Sequence, residues 1–242
     1  DKELPSTLET ICVLDGAEQI GNDTFQGLTG LKSVMLPSSI KSIGNNAFNG
    51  CTNLEEINFP INLESIGYSA FYNCTNLTDI VLPDTVSNIG FSAFDRCTSL
   101  SNINIPSALE ILSDGIFKYC ESLENITISG NIKRIGEWSF NGCYALKTLT
   151  LSRGLEEIAR GAFAGTQLEE LILPSTVVSI EEQVFQGTSK LEKLTILALM
   201  PPSISEGTFF GANPALIVYV PQSALFAYEA DLIWGSQTVT TM

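Results

Sequence analysis

One phenylalanine sets the rhythm of this chain. It recurs at Phe25, Phe48, Phe71, Phe94, Phe117, Phe140, Phe163, Phe185 and Phe209, at intervals of 23 residues six times, then 22, then 24. Five residues before each Phe stands an aliphatic residue, from Ile20, Ile43 and Ile66 to Ile180 and Ile204, and three before that usually another, such as Ile40, Leu63 or Val86. After each Phe comes a Leu-x-x-Ile-x-Leu segment: Leu31, Val34 and Leu36; Leu54, Ile57 and Phe59; and so on to Leu191, Leu194 and Ile196, with a partial copy at Leu8, Ile11 and Val13. The Ile-x-Leu alternation has period two, which predicts a short strand with one buried face. Proline often ends it (Pro37, Pro60, Pro83, Pro106, Pro174), and proline is tolerated at a strand's end. The Ala-Phe segment (Ala47-Phe48, Ala70-Phe71, Ala93-Phe94) is too short for a stable lone helix, so it reads as one helical or 3₁₀ turn on the opposite wall.

One such unit cannot bury its apolar side alone, whereas stacked copies form a continuous core. The expected architecture is a right-handed solenoid of nine to ten coils of about 23 residues, with short parallel strands and short helical or 3₁₀ turns. On a strand spacing of about 4.8 Å this makes a rod or shallow horseshoe roughly 45 Å long. The 22-residue step is a deletion between Phe163 and Leu168, and the 24-residue step an insertion near Met200-Pro201-Pro202. Both fall at corners, where a stacked solenoid tolerates them.

The unit from Leu36 to Pro60, LPSSIKSIGNNAFNGCTNLEEINFP, resembles the BspA-like subfamily of leucine-rich-repeat proteins, and its IG-x-x-AF-x-x-C-x-x-L frame extends over roughly residues 8 to 221. The segment from Ile217 to Trp234, IVYVPQSALFAYEADLIW, is similar to the closing segment of such proteins. Residues 1–221 are accordingly read as a leucine-rich-repeat solenoid, and residues 222–242 as its C-terminal cap helix and tail, with Leu225, Tyr228 and Leu232 near one apolar helical face. The resemblance implies a surface-exposed or secreted bacterial protein, associated with adhesion and with binding host or microbial proteins. It carries no catalytic motif. The sequence departs from the frame where the Ile-Gly glycine becomes Ser113, Ala159, Glu181 or Ser205, so that corner prefers a small residue without strictly needing positive φ. Ser129 and Ser152 replace the corner proline in two repeats.

Composition narrows the chemistry. Hydrophobic residues make up 44% and charged residues 16%, too apolar for disorder, yet no apolar run reaches the ~18 residues of a membrane span. The net charge of -15 argues against nucleic acid and against an anionic membrane surface, and serves solubility. The absence of histidine removes the commonest general base and zinc ligand, so no catalytic, cofactor or metal site is expected. The chain starts at Asp1 inside what reads as a first repeat, with no signal peptide, as a mature or trimmed chain would.

Cys51, Cys74, Cys97, Cys120 and Cys143 lie 23 apart at one rung position that elsewhere holds Leu28, Thr166, Thr188 or Ala212. A site accepting Leu, Thr and Ala is a small buried packing site, so a ladder of free thiols is expected rather than CxxC-type metal ligation. Cys12, between Ile11 and Val13, points out of the concave sheet: an exposed thiol, or one covered by sequence outside this chain. The pairs Glu55-Glu56, Glu156-Glu157, Glu169-Glu170 and Glu181-Glu182 alternate across a strand and make poor acid/base partners. Sequon-like triplets at Asn22, Asn73, Asn76 and Asn125 follow from an Asn/Thr-rich surface.

Outward strand positions form two stripes on the concave face. One contains Ser33, Glu56, Asp79, Asn102, Asn125 and Thr148; the other Met35, Asn58, Val81, Asn104, Thr127 and Thr150. These are the candidate ligand face, with Asn and Thr as adaptable hydrogen-bonding groups, although they equally suit a plain sheet surface. A second candidate is an aromatic patch of Tyr68, Phe91 and Trp138, just past the Ile-Gly corner. The expected function is a non-enzymatic, monomeric, cell-surface or secreted binding module for protein or glycan ligands, host extracellular matrix or mucin among them. The alternative is a structural spacer that displays another domain and has no ligand of its own.

Overall fold

The computed structural model describes residues 7–128 and 130–242, and shows ten coils stacked along one axis. Each coil contributes a strand to a first row: Thr10–Cys12, Ser33–Met35 and Glu56–Ile57 at one end, Lys193–Ile196 and Ile217–Val220 at the other. Pairing is parallel and in register, Ile11 against Val34 and Val34 against Ile57, because each partner is the same repeat position one coil on. A second row, which the hydrophobic pattern does not reveal, is made of two-residue strands such as Gln19–Ile20, Ser42–Ile43 and Ser65–Ile66. Its register survives both irregular steps: Glu157 pairs with Ser179 across the shortened coil, and Ser179 with Ser203 across the lengthened one. The deletion and the insertion are absorbed in the corners.

The opposite wall carries the phenylalanines. Its turns close by 3₁₀-type bonds, Asn49 N–H to Asn46 O and Cys51 N–H to Phe48 O, while alternate N–H groups donate to the next coil, as Phe48 does to Ala70 O at 2.8 Å. Two left-handed residues flank the Phe in each coil, for example Asn46 (φ 53°) and Gly50 (φ 77°) around Phe48. They stop the turn from continuing as a helix and leave every second N–H facing along the axis. The rings stack from Phe25 to Phe209 with centroids 5.2–6.1 Å apart. Those from Phe48 to Phe185 are fully buried, a contribution of about 2–3 kcal/mol each.

Of the serines that replace the corner proline, Ser152 donates to Ile128 O at 2.7 Å; Ser129 lies outside the described residues. The last coil is closed by a short helix, Leu225–Ala230, and by Trp234, which packs edge-on against Phe209 at 5.7 Å. Tyr228 Oη donates to Ala198 O (3.1 Å) and Trp234 Nε1 to Pro202 O (2.9 Å). Both acceptors belong to the lengthened coil, so the insertion forms the socket of the cap. Leu232 does not share the buried face: it follows the helix and is 95% exposed, because the chain turns after Ala230 and Trp234 takes the apolar contact instead. A final strand, Thr238–Thr241, adds in parallel to Ile217–Val220.

Candidate binding surfaces

The first strand row presents both expected stripes outward. Met35, Glu56, Asn58, Asp79, Val81, Asn102, Asn104, Asn125, Thr127, Thr148 and Thr150 are exposed, and Ser33 is half-buried. Their roles differ. Asn58 accepts from Leu36 N–H at 2.7 Å and donates to Leu36 O at 2.8 Å; Asn104 does the same with Leu82, at 2.7 and 2.8 Å. Both follow strands of only two residues, Glu56–Ile57 and Asn102–Ile103, and their carboxamides supply the pair of ladder bonds that the backbone stops making there. Asn102 Nδ2 donates to Asp79 Oδ1 at 2.6 Å. Asn125, Thr127, Thr148 and Thr150 sit on four-residue strands whose backbones complete the ladder, and their side chains make no hydrogen bond among the described residues. Shallow depressions open along the whole of this face, about 560 Å³ between Ser33 and Asp79, about 540 Å³ between Val81 and Thr127 and about 430 Å³ between Thr148 and Ile172. Nearer the C-terminal end, Lys193 lies 3.6 Å from Glu170 and 5.5 Å from the Tyr219 ring.

The aromatic candidates divide. Tyr68 and Phe91 occupy the same position in consecutive coils, stack with centroids 5.0 Å apart and planes 4° apart, and are 38% and 55% exposed. Trp138 is one residue out of that row. It is a left-handed turn residue (φ 55°), partly buried, with the Arg160 guanidinium 5.5 Å from its ring. Tyr68 and Phe91 form one wall of a groove of about 540 Å³ on the second strand row, whose opposite rim is Gln19, Ser42, Ser65 and Asn88.

The groove floor explains the Ile-Gly pairs. A Cβ on Gly44 would lie 2.7 Å from Asn22 N, one on Gly67 2.6 Å from Asn45 N, and one on Gly90 2.4 Å from Tyr68 N. None of these glycines has positive φ; each is needed because the preceding coil's backbone runs against it. Beside the floor, a side-chain oxygen closes the gap between coils. Asn22 Oδ1 accepts from Asn45 N–H at 2.8 Å, Asn45 Oδ1 from Tyr68 N–H at 3.0 Å, and Asp114 Oδ1 from Glu137 N–H at 2.8 Å.

The five ladder cysteines are free and buried. Each Sγ–H donates to the phenylalanine carbonyl of the preceding coil, as Cys74 does to Phe48 O at 3.2 Å. Burial pushes the Cys51 thiol up to about 11, and the others higher still. Cys12 is exposed. Asp95, only 7% exposed, has a buried Oδ1 without a partner, and burial raises its carboxyl to about 6 against the opposing pull of Lys118 and Arg96. It lies in the turn wall, away from the depressions and the groove. Among the described residues, no cluster of three or more His, Cys, Asp or Glu is arranged to hold a metal ion, and no helix is long and apolar enough to cross a membrane.

The family model for the BspA type leucine-rich repeat region matches in six copies, over residues 5–124 and 110–224. The chain belongs to that family. A comparison with the curated proteins finds no match. Among solved structures, a leucine-rich repeat protein from Bacteroides ovatus is 27% identical with a TM-score of 0.82, the alignment covering 97% of this chain and 61% of that one. A leucine-rich cell surface protein from Faecalibacterium prausnitzii is 24% identical, TM-score 0.60, covering 90% and 65% respectively. A leucine-rich repeat protein from Eubacterium ventriosum is 22% identical, TM-score 0.51, covering 90% and 67%. This BspA-type chain thus spans less than two thirds of the first two relatives. Both the family and the fold make it a repeat scaffold.

Proposed function

We propose that this BspA-type domain is a non-enzymatic binding and adhesion module, displayed on a cell surface or secreted, for host or microbial protein or glycan ligands. The observation that carries the reading is the contrast along the first strand row. Where Asn58 and Asn104 are committed to their own backbone, Asn125, Thr127, Thr148 and Thr150 stand exposed and uncommitted on a rigid sheet. Rigid placement lowers the entropy cost of recognition. The Faecalibacterium prausnitzii relative is described as a cell surface protein, which accords with display. The groove lining contains no carboxylate, amine or thiol, so it offers no acid/base pair for catalysis.

The test is binding of the purified domain to an array of extracellular-matrix proteins, mucins and glycans. A saturable hit weakened by Thr127→Lys or Thr150→Arg supports the module and locates its face. Silence across the array favours a spacer that displays another domain, a reading that the self-satisfied amides of the N-terminal coils also suit.

A further inference from the structure

Tyr68 and Phe91 break a local rule at a cost to the fold. In neighbouring coils the same position holds Asn22, Asn45 or Asp114, whose side-chain oxygen receives the next coil's N–H. With Tyr68 and Phe91 in place, the N–H groups of Phe91 and Asp114 have no acceptor within the chain among the described residues. The two rings stack on each other, yet Tyr68 is still 38% and Phe91 55% exposed, and neither ring replaces the lost N–H contact. A position that gives up two backbone contacts to hold a half-exposed aromatic pair points to a functional demand.

The groove they wall has a definite chemistry. Gln19, Ser42, Ser65 and Asn88 form a rim of one amide or hydroxyl per coil, the glycines between rim and wall carry no side chain, and no lining side chain is charged. In a chain with 27 acidic and 12 basic residues, an uncharged groove across four coils selects for an uncharged occupant. The mixture of Tyr, Ser, Gly and Asn supplies rigid apolar contact beside adaptable hydrogen bonds. Geometry separates the two kinds of neutral polymer. An extended peptide advances about 3.4 Å per residue, out of step with coils about 4.8 Å apart. The inner strands beneath are paired on both sides, Ser42 with Gln19 and Ser65, so a peptide lying across them along the coil axis finds an edge only at the two ends of the groove, Gln19–Ile20 and Asn88–Ile89. A pyranose unit spans about one coil step, and its ring of hydroxyls around an apolar C–H face matches a polar rim opposite an aromatic wall.

Building on the binding-module reading, we infer that the groove walled by Tyr68 and Phe91 is a subsite for a linear neutral glycan, lying along the coil axis with about one sugar per coil. The next coil carries only Asp114 beyond Phe91, so that ring ends the stack and presents the apolar surface on which a sugar face packs.

The test is calorimetric titration of the whole domain with linear neutral hexasaccharides (β-1,4-glucan, β-1,3-glucan and β-1,4-mannan) and with a uronic-acid oligosaccharide of equal length. The expected result is saturable binding of at least one neutral chain and weaker binding of the charged one. Phe91→Ala should weaken it at least about tenfold. Tyr68→Asn should also weaken it while leaving the thermal midpoint at or above that of the parent, because the asparagine restores the missing cap. Glu229→Gln, exposed on the cap helix, should leave it unchanged. Failure of every neutral chain to bind, equal binding of the uronate, or affinity indifferent to Tyr68→Asn and Phe91→Ala overturns the assignment. If matrix or mucin binding sensitive to Thr127→Lys persists in that case, the module reading stands without the groove; if nothing binds, both fall.

Discussion

Asn104 separates a structural from a recognition role most sharply. Replacing it with Ala removes two short hydrogen bonds, 2.7 and 2.8 Å, and leaves the Leu82 N–H and carbonyl half-shielded without partners. At about 0.5–1.5 kcal/mol net per bond, the loss is about 1–3 kcal/mol, partly offset by the rotamer freedom that the side chain no longer loses. Asn58→Ala should cost a similar amount, since its two bonds to Leu36 have the same lengths. Asn125→Ala removes no hydrogen bond and should stay within about 0.5 kcal/mol of the parent. The assay is urea unfolding followed by circular dichroism, with tryptophan fluorescence of a Trp138→Phe background reporting separately on the cap through Trp234. A displaced midpoint at unchanged slope measures the loss. Asn104→Asp is a sharper variant: it keeps the acceptor but sets a carboxylate against Leu82 O, and should be worse than Ala. If Asn104→Ala unfolds with the parent, or Asn125→Ala costs as much, the clamp described here does not hold the sheet. A pure ligand role for Asn104 predicts the opposite pair of results, intact stability and lost binding.

Three further outcomes follow from the buried groups. Asp95 titrates near 6 in the fold against an ordinary 3.8, so the native state favours its protonated form; that advantage is complete below about pH 4 and is lost as pH rises through 6. Asp95→Asn should therefore stabilise the domain by about 2–3 kcal/mol at pH 8, with the gain shrinking between pH 6 and 4, and a pH-independent difference would contradict this. A thiol reagent should modify Cys12 rapidly and the five ladder cysteines only in denaturant, even at pH 9, since their thiols stay protonated; more than one fast equivalent in the native protein would refute their burial. Trp234→Ala should cost about 3–5 kcal/mol and raise hydrogen exchange in the last coils well before the first, whereas uniform loosening would show that the cap acts on the whole stack.

The features legible in the sequence are those that the stack forces to repeat. A buried ring must meet another at the same depth in every coil, so Phe25 to Phe209 announce the wall, and the thiol rung needs a small side chain at each level. Features that depend on what a neighbouring coil lacks are not legible. Asn58 and Asn125 are the same residue type on the same face, but they sit at different positions of the coil, and only the first, just past the end of its strand, reaches the neighbouring backbone. The left-handed positions accept Asp, Asn, Ser, Arg, Tyr, Trp and Gln besides Gly, too varied a set to show as a pattern. Trp138 falls one residue beyond the Tyr68 position, and in a turn wall one residue is enough to send a side chain elsewhere. The strand Thr238–Thr241 has no repeat signature at all; it pairs because Ile217–Val220 leaves an edge to be covered.

The uniform register has a kinetic consequence. Nearly every long-range pair in the ladders joins residues 22 to 24 apart in the 242-residue chain. The mean sequence separation of contacts is thus close to a tenth of the length, the range of fast-folding helical bundles rather than of β-sandwiches. A protein made almost wholly of strands and turns therefore has the local topology of a helical one. Once two adjacent coils have closed, each further coil adds by closing a loop of constant, modest length, so the search does not grow harder as the chain lengthens.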